Sequence, residues 1–489
     1  MSVQSLEFLA FLTVTAGSCL LLARRDRRFA ANGLALASAL YFVLSGGWGA
    51  FLVLAAGIAV SVAAVRYLEA ESPVSAGAGP PGGPNPAGTP RRRCLVLAAG
   101  WHIAVLLLFK YIRFFTGGAA AWSWSPLGLS FFTFQQLWLL KEVYTGQFRL
   151  ERGDNVLLYA FFFPTVVSGP ILKPQAFFPQ LRGERFLRPD GSDLAAGLYV
   201  LCCGFGKKVL LADNLGIVVA NGYRQLDTLT APGAWLIILG YTLQLYLDFS
   251  SYCDIDAGTA RLFGIRLPVN FNSPYRSLSV GEFWKRWHMT LTAFLRECLY
   301  FPLGGSRKGN FCTCRNILLV YFVSGLWHGA GWTFLIWGGL HGLAQIVERL
   351  WGEGRERLPA ALRWTMTFVF VNAAWVFFRA PDVSSAVKLL SAAVTGELAP
   401  PAYGLLEGLF VKEVSALILL WPRTQPWITA LRITALFGAS ALVALWPRNA
   451  VEEMDRFRPT VWRCGFLAAL GAWSIVSFTG VTSFIYSNF

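Results

Sequence analysis

Long apolar runs recur along the whole chain, and they constrain the fold more than any other feature. About 20 consecutive apolar residues can cross a bilayer as a helix. Runs of that length, or close to it, lie at 6–23, 29–46, 50–66, 94–112, 195–222, 232–250, 315–345, 362–378, 406–421, 429–446 and 462–480. Stretches 126–145 and 156–172 are apolar but interrupted, which predicts re-entrant or interfacial segments shielded by protein. The pattern predicts an all-α, polytopic integral membrane protein with about ten to twelve spans.

Composition agrees with a membrane protein and argues against the soluble classes. Charged residues make up 14% of the 489 residues, whereas a soluble chain carries about 25%. The net charge is +15, but the basic residues form short clusters between apolar runs, as in membrane loops, which argues against nucleic-acid binding. The cysteines are scattered and predict neither a disulfide framework nor a metal site.

Two arginine clusters set the predicted orientation. Four arginines within 24–28 follow the first apolar run, and three more at 91–93 precede the fourth. Because two runs lie between the clusters, both fall on one side, which we predict to be cytoplasmic, with the N-terminus outside. No basic residues precede the first run, so we expect a retained transmembrane helix. We predict one membrane-embedded domain over 1–489, with a flexible Pro/Gly-rich cytoplasmic loop at 71–93.

One charged stretch interrupts the apolar pattern, with the sequence EFWKRWHMTLTAFLRECLYFPLGG. Within it, Lys285, His288, Thr292 and Arg296 recur at intervals of three and four residues. This spacing predicts one polar face of a helix. Such a helix either lies at the membrane surface or lines a polar cavity inside the bundle.

Three aspartates end or follow the apolar run before this stretch: Asp248, Asp254 and Asp256. Their carboxylates have two candidate roles. They either pair with Arg286 or Arg296 and orient a histidine, or they belong to an interfacial loop beyond the membrane.

The chain has four histidines, and one of them, His328, lies in the apolar run VSGLWHGAGWTFLIWGGLHG. Ionisable residues at membrane depth usually serve a function, and imidazole is the usual general base near neutral pH. His328 and His288 are therefore candidate catalytic residues, and the alternative is that they are hydrogen-bonded core histidines. We interpret His341 and His102 as structural.

The chain resembles the membrane-bound O-acyltransferase family in three segments: LDFSSYCDID, RLPVNFNSPYRSLSVGEFWKRWHMTLTAFLRECLYFPLGG and GLWHGAGWTFLIWGGLHG. The branch it resembles most is the bacterial alginate O-acetyltransferase membrane subunit, which is also similar at PLGLSFFTFQQ, FPTVVSGPI, AWVFFRA and SFIYSNF. The resemblance covers nearly the whole chain, with core motifs at 243–345. Asp256 departs from the branch, where a small apolar residue is usual, and the loop at 71–90 is an insertion.

The resemblance implies a tunnel-containing O-acetyltransferase of the bacterial inner membrane. Acetyl-CoA would be the cytoplasmic donor, without a metal. A periplasmic or extracytoplasmic partner would place the acetyl group on a secreted polysaccharide such as alginate or cellulose. The family's two histidines map onto His328 and His288. From the chemistry of acyl transfer, His328 is the candidate base, and His288, Trp N–H groups or Arg286 could stabilise the oxyanion. The residues expected to line or support the tunnel are Trp327, Gly325, Asp248, Asp254, Asn270, Trp284, Arg286, Arg296 and Gln135.

Three alternatives remain open at the level of sequence. The first is O-acyl or D-alanyl transfer to a lipid, peptide or teichoic acid carrier. The second is a proton-coupled transporter that uses His328 and the aspartates as a relay, which predicts inverted repeats that we do not find by eye. The third is a scaffold for a secretion complex, against which the presence of both His328 and His288 argues.

Overall fold

The computed structural model describes residues 1–71, 89–116, 124–151, 154–409 and 425–480. Regular structure within these ranges is helical, without strands, so the all-α prediction is confirmed there. The α-helices are α1 (Leu6–Leu22), α2 (Arg27–Ala70), α3 (Thr89–Phe115), α4 (Leu129–Tyr144), α5 (Val156–Phe161), α6 (Pro174–Arg182), α7 (Gly191–Phe205), α8 (Asp213–Arg224), α9 (Ala231–Leu262), α10 (Val280–Arg286), α11 (Met289–Leu295), α12 (Gly309–His328), α13 (Trp332–Trp351), α14 (Ala360–Arg379), α15 (Val383–Thr395), α16 (Gln425–Leu445), α17 (Ala450–Met454) and α18 (Val461–Val476). Two π-helical segments, Gly206–Ala212 and Arg296–Tyr300, adjoin α7 and α11.

Four helical stretches among the described residues are long and apolar enough to cross a membrane: Arg27–Ala70, Pro90–Ile112, Gly191–Arg224 and Ala360–Arg379. Helices α1, α15 and α18 and part of α16 are apolar but shorter. The count of ten to twelve spans therefore stays a prediction.

Helix α2 contains both of the apolar runs predicted at 29–46 and 50–66. A straight helix of its 44 residues would be about 66 Å long, roughly twice the thickness of a bilayer core. Gly47 interrupts it with φ 80° and ψ 167°, in the left-handed half of backbone space that glycine enters at little cost. The two runs are thus separate helical pieces joined at one glycine.

The run predicted at 315–345 forms two helices, α12 and α13, rather than one. Gly329 and Gly331 between them are extended, which ends α12 at His328. The two helices pack closely, because a Cβ atom on Gly325 would lie 2.5 Å from the carbonyl oxygen of Phe334. Gly325 therefore serves helix packing in this structure, and it allows the hairpin that places His328 at a helix end.

Part of the predicted loop at 71–93 is helical. Helix α3 begins at Thr89 and has Pro90 in its first turn, where proline is well tolerated because the first backbone N–H groups need no helical partner. The boundary of the loop is therefore corrected to before Thr89, and residues 72–88 lie outside the described residues. The terminal SFIYSNF and most of the run at 406–421 also lie outside them.

The chain divides into two compact units. The first comprises 1–201, 253–269 and 454–459, and the second comprises 202–252, 270–453 and 460–489, each within its described part. That the whole chain forms one membrane-embedded domain stays a prediction.

The first unit contains the predicted re-entrant segment 156–172. After the short helix α5 this segment is irregular, yet residues 162–172 are all buried. Side chains satisfy two of its carbonyls: the Gln135 amide donates to the Tyr159 carbonyl at 2.7 Å, and the Tyr159 hydroxyl donates to the Leu172 carbonyl at 2.8 Å. Other backbone groups pair with backbone, as the Val166 N–H does with the Phe162 carbonyl at 3.0 Å. Irregular backbone shielded in this way is compatible with membrane depth.

The second unit has an aromatic core. The Trp375 ring lies 4.9 Å from Trp287 and stacks on Trp337 at 5.8 Å, and Phe283 stacks on Trp287 at 5.5 Å. Trp287, Trp337 and Trp375 are fully buried. Trp337 contacts His328 at 5.0 Å, and the three rigid rings fix the positions of neighbouring helices.

Candidate active site

His288 lies at a break between two short helices. The spacing over 285–296 predicted one continuous helical face, but α10 ends at Arg286 and α11 begins at Met289. His288 itself has φ 43° and ψ 54°, a left-handed conformation that is uncommon for residues other than glycine. The prediction of a single helix is therefore wrong, and a strained residue of this kind in a buried site is a recognised mark of function.

Asn270 stabilises the break from 18 residues away in sequence. Its backbone carbonyl accepts a hydrogen bond from the Met289 N–H at 2.9 Å. Its side-chain Oδ1 accepts from the Thr290 N–H at 3.2 Å and from the Thr290 hydroxyl at 3.0 Å. Asn270 thus caps the first N–H groups of α11, which have no partner inside the helix.

The contact with the same Asn270 oxygen shows which ring nitrogen of His288 carries the proton. Oδ1 accepts from a backbone N–H, so it is an oxygen, and the Nδ1 of His288 at 3.2 Å must donate to it. A neutral imidazole that carries its proton on Nδ1 has its lone pair on Nε2. Burial lowers the pKa of His288 to about 3, so the neutral ring is the form present at physiological pH. This histidine therefore offers an acceptor at Nε2.

Trp327 lies between the two predicted catalytic histidines. Its ring centroid is 6.0 Å from that of His288 and 4.7 Å from that of His328. His328, the last residue of α12, also packs against Trp337 and Phe378, each at 5.0 Å. Both histidines are at most 1% exposed. The structure therefore brings together the two histidines and the tryptophan that the sequence singled out.

The second unit also has a cavity of about 340 Å³, and one of its wall residues, Trp284, packs against Trp337 at 5.8 Å. Its wall includes the predicted residues Trp284 and Arg296. Lys285 and Arg349 also line it, so three cationic side chains face one space. Lys285 and Arg349 were not predicted as site residues, because their proximity to each other and to Arg296 depends on how α10, α11 and α13 pack.

Asp248 is paired with a lysine rather than with Arg286 or Arg296. The Nζ of Lys208 lies 2.5 Å from the Asp248 carboxylate and 2.8 Å from that of Asp213, and all three side chains are buried. Lys208 belongs to the π-helical segment after α7. The sequence signal was present, since a lysine inside the apolar run 195–222 is costly without a counter-charge.

Phe249, the residue after Asp248, connects this ion cluster to the site. Its ring packs at right angles against the His288 ring, with centroids 4.9 Å apart. A fixed Asp248 therefore fixes the residue that packs against His288.

The remaining predicted residues lie elsewhere. Arg286 forms an ion pair with Glu282 at 2.9 Å and is one-third exposed. Asp254 and Gln135 are buried residues of the first unit. Among the described residues, no group of three or more His, Cys, Asp or Glu side chains is arranged to hold a metal ion.

Comparison with known proteins identifies the region that holds this site. Residues 152–386 match the model of MBOAT, the membrane-bound O-acyltransferase family. All of the site residues in the second unit, from Lys208 to Phe378, fall within that match.

Three relatives illustrate the similarity. A peptidoglycan O-acetyltransferase of Helicobacter pylori is 37% identical over 342 residues, which covers 62% of this chain and 65% of that protein. A probable alginate O-acetylase AlgI of Pseudomonas aeruginosa is 39% identical over 272 residues, which covers 55% and 51%. A teichoic acid D-alanyltransferase of Bacillus subtilis is 28% identical over 272 residues, which covers 52% and 68%.

The chain therefore spans just under two thirds of the Helicobacter relative and about half of the Pseudomonas one. The family match at 152–386 includes the core motifs at 243–345. The predicted resemblance is confirmed: just under half of the chain matches the model of the membrane-bound O-acyltransferase family, and the O-acetyltransferases above are similar to it.

Proposed function

We propose that this protein is an O-acetyltransferase that takes acetyl groups from cytoplasmic acetyl-CoA for the O-acetylation of a secreted polysaccharide. The observation that carries the proposal is the pair of buried histidines on either side of Trp327, inside the region that matches the family. Acyl transfer to a hydroxyl needs a proton acceptor in a site from which water is excluded. Relatives that act on peptidoglycan and alginate support a cell-envelope or secreted polymer as the acceptor.

His328 is the proposed general base. It is the C-terminal residue of α12, where the partial negative charge of the helix end favours a protonated imidazole. The hydroxyl oxygen forms a bond to the thioester carbonyl carbon while His328 takes the hydroxyl proton. The carbon–sulfur bond then breaks, the proton passes to the leaving thiolate, and an ester and a free thiol result.

His288 has a different proposed role from oxyanion stabilisation, one of the roles considered from the sequence. An oxyanion needs a hydrogen-bond donor, whereas the neutral His288 presents a lone pair on Nε2. An acceptor in that position suits the attacking hydroxyl or an amide N–H of the donor's pantetheine arm. We therefore assign His288 to substrate orientation rather than to oxyanion stabilisation.

The cavity beside Trp284 is the proposed donor site. Lys285, Arg296 and Arg349 place three positive charges around about 340 Å³, and CoA carries phosphate groups that Lys and Arg bind well. The aromatic wall formed by Trp284 and Tyr321 suits a thin, partly apolar acyl arm. Neutralising one of these charges is expected to raise the KM for acetyl-CoA more than it lowers kcat.

The location and the partner follow from the same proposal. We place the protein in the bacterial inner membrane with its N-terminus outside, as the arginine clusters predict. An extracytoplasmic partner protein would receive the acetyl group and place it on the polymer.

The test uses purified protein in liposomes with radiolabelled acetyl-CoA. Release of CoA and transfer of label to alginate, cellulose and peptidoglycan fragments are measured, with and without an extract of extracytoplasmic proteins. His328→Ala is expected to abolish CoA release without loss of folding, judged by its elution and its unfolding temperature in detergent.

His102→Gln is the matched control, because His102 is also a buried histidine but belongs to the first unit and lies outside the family match. It should retain CoA release. Full activity of His328→Ala would remove His328 from the mechanism. Turnover of a D-alanyl thioester but not of acetyl-CoA would replace the proposed substrate with that of the Bacillus relative.

A further inference from the structure

We infer that His341, which the sequence analysis interpreted as structural, is a positioning residue for the reaction. Its hydrogen bond to Trp284 fixes the wall of the cationic cavity, and its ring supports the indole that packs against His328. This inference rests on the proposed function of that cavity as the donor site.

The hydrogen bond assigns the tautomer of His341. The Trp284 Nε1–H donates to the His341 Nδ1 at 3.1 Å, and an indole nitrogen is a donor only. Nδ1 is therefore the acceptor, and the neutral ring carries its proton on Nε2. His341 is fully buried.

Aromatic rings surround the rest of His341. Phe370 and Trp337 meet it edge to face at centroid distances of 5.3 and 5.1 Å, and Tyr321 stacks on it at 6.2 Å. Within the described part of the chain, Nε2 has no oxygen or nitrogen partner. Edge-to-face packing brings a ring N–H toward the electron-rich face of its neighbour. The surroundings thus accommodate a neutral histidine and select its orientation.

The cavity wall depends on this orientation. Trp284 and Tyr321 both line the cavity, and both contact His341, at centroid distances of 5.1 and 6.2 Å. The Trp284 ring also packs on Tyr321 at 5.4 Å. An imidazole that accepts the indole N–H therefore holds both wall residues in one arrangement.

His341 is also linked to His328 through the indole of Trp337, which contacts both histidines. The Trp337 centroid is 5.1 Å from that of His341 and 5.0 Å from that of His328. A displaced His341 ring would shift Trp337, and with it one face of the pocket that orients His328. Loss of the bond is thus expected to affect both donor binding and the chemical step.

Two substitutions separate the hydrogen bond from the packing. His341→Phe keeps a ring of similar size but removes the acceptor for the indole N–H. His341→Asn loses ring volume but places Oδ1 near the position of Nδ1. With liposomes and labelled acetyl-CoA, His341→Phe is expected to raise the KM and lower kcat/KM by about 5- to 150-fold, the range for a buried donor left without an acceptor. His341→Asn should recover most of that loss.

Trp284→Phe completes a double-mutant cycle with His341→Phe, since it keeps a ring in the cavity wall but has no N–H that needs an acceptor. In that background, His341→Phe should cost no more than about 3-fold in kcat/KM, because the hydrogen bond is already absent. Unfolding temperatures in detergent are measured for all variants, to separate loss of fold from loss of positioning.

An equal loss for His341→Phe and His341→Asn would overturn the inference, and so would a His341→Phe loss of the same size in both backgrounds. Wild-type protein that neither binds nor turns over acetyl-CoA would contradict the proposed donor and the positioning role with it. Wild-type turnover without coupling between Trp284 and His341 would contradict the positioning role alone.

Discussion

Replacing Asn270 with Ala is expected to reduce activity through the protonation of His288. The Asn270 Oδ1 accepts three hydrogen bonds, from the His288 Nδ1 at 3.2 Å and from the Thr290 N–H and hydroxyl at 3.2 and 3.0 Å. The hydroxyl can rotate to another acceptor, but the two N–H groups are buried and fixed. Each buried donor left without an acceptor costs about 1–3 kcal/mol, so the expected loss of unfolding free energy is about 2–6 kcal/mol.

His288 can avoid the free-energy cost of leaving its own N–H group without an acceptor. Its proton can move to Nε2, which removes the lone pair that we assign to substrate orientation. The original tautomer is then disfavoured by the same 1–3 kcal/mol. Its population, and with it kcat/KM, should fall by about 5- to 150-fold. Asn270→Asp is the matched control, because its carboxylate accepts the same hydrogen bonds.

The assay is CoA release from labelled acetyl-CoA in liposomes, with unfolding followed in detergent. Asn270→Asp should keep most of the wild-type activity, with a raised pKa for His288 because a negative charge lies beside its ring. Wild-type kcat/KM in a folded Asn270→Ala protein would refute the reasoning, since the tautomer would then not matter. Equal losses in the Ala and Asp variants would refute it as well.

Three further predictions concern stability. Lys208→Met removes the cation that contacts both buried aspartates, so the free energy of unfolding should fall by about 3–5 kcal/mol. Adding Asp248→Asn should restore part of it, and no recovery in detergent unfolding would contradict the ion-pair account. Gly325→Ala places a Cβ 2.5 Å from a backbone oxygen of α13 and should lower the unfolding temperature by the equivalent of about 1–3 kcal/mol. The control is Gly339→Ala, which should be tolerated because the nearest atom to its Cβ is 3.8 Å away. Equal effects of the two substitutions would count against close helix packing. Burial holds the pKa of His288 at about 3, below its ordinary 6.5. Between those pH values the unfolded chain binds the extra proton, so stability should fall with falling pH by at most about 1.4 kcal/mol per pH unit. His288→Gln should show a shallower acid slope than wild type in urea titrations, and an unchanged slope would mean that His288 does not titrate in this way.

The helices were the most predictable part of the structure. Ten of the eleven predicted apolar runs lie largely within described helices, because hydrophobic composition over about 20 residues is a local property. Boundaries were less predictable where glycine decided them. The break at Gly47 and the hairpin at Gly329–Gly331 come from backbone conformations that hydropathy does not report.

The sequence by itself determined the helical class, the resemblance to the family and the two histidines that contact Trp327, since each follows from local pattern or from a motif read in order. The tertiary structure alone decided the pairing of His288 with Asn270, of Lys208 with Asp248 and of Trp284 with His341. These partners are 18, 40 and 57 residues apart. Periodicity describes neighbours within a few residues. A buried donor or charge instead pairs with whichever partner the packed helices bring close to it. These pairings set the positions of the protons on which the proposed chemistry depends.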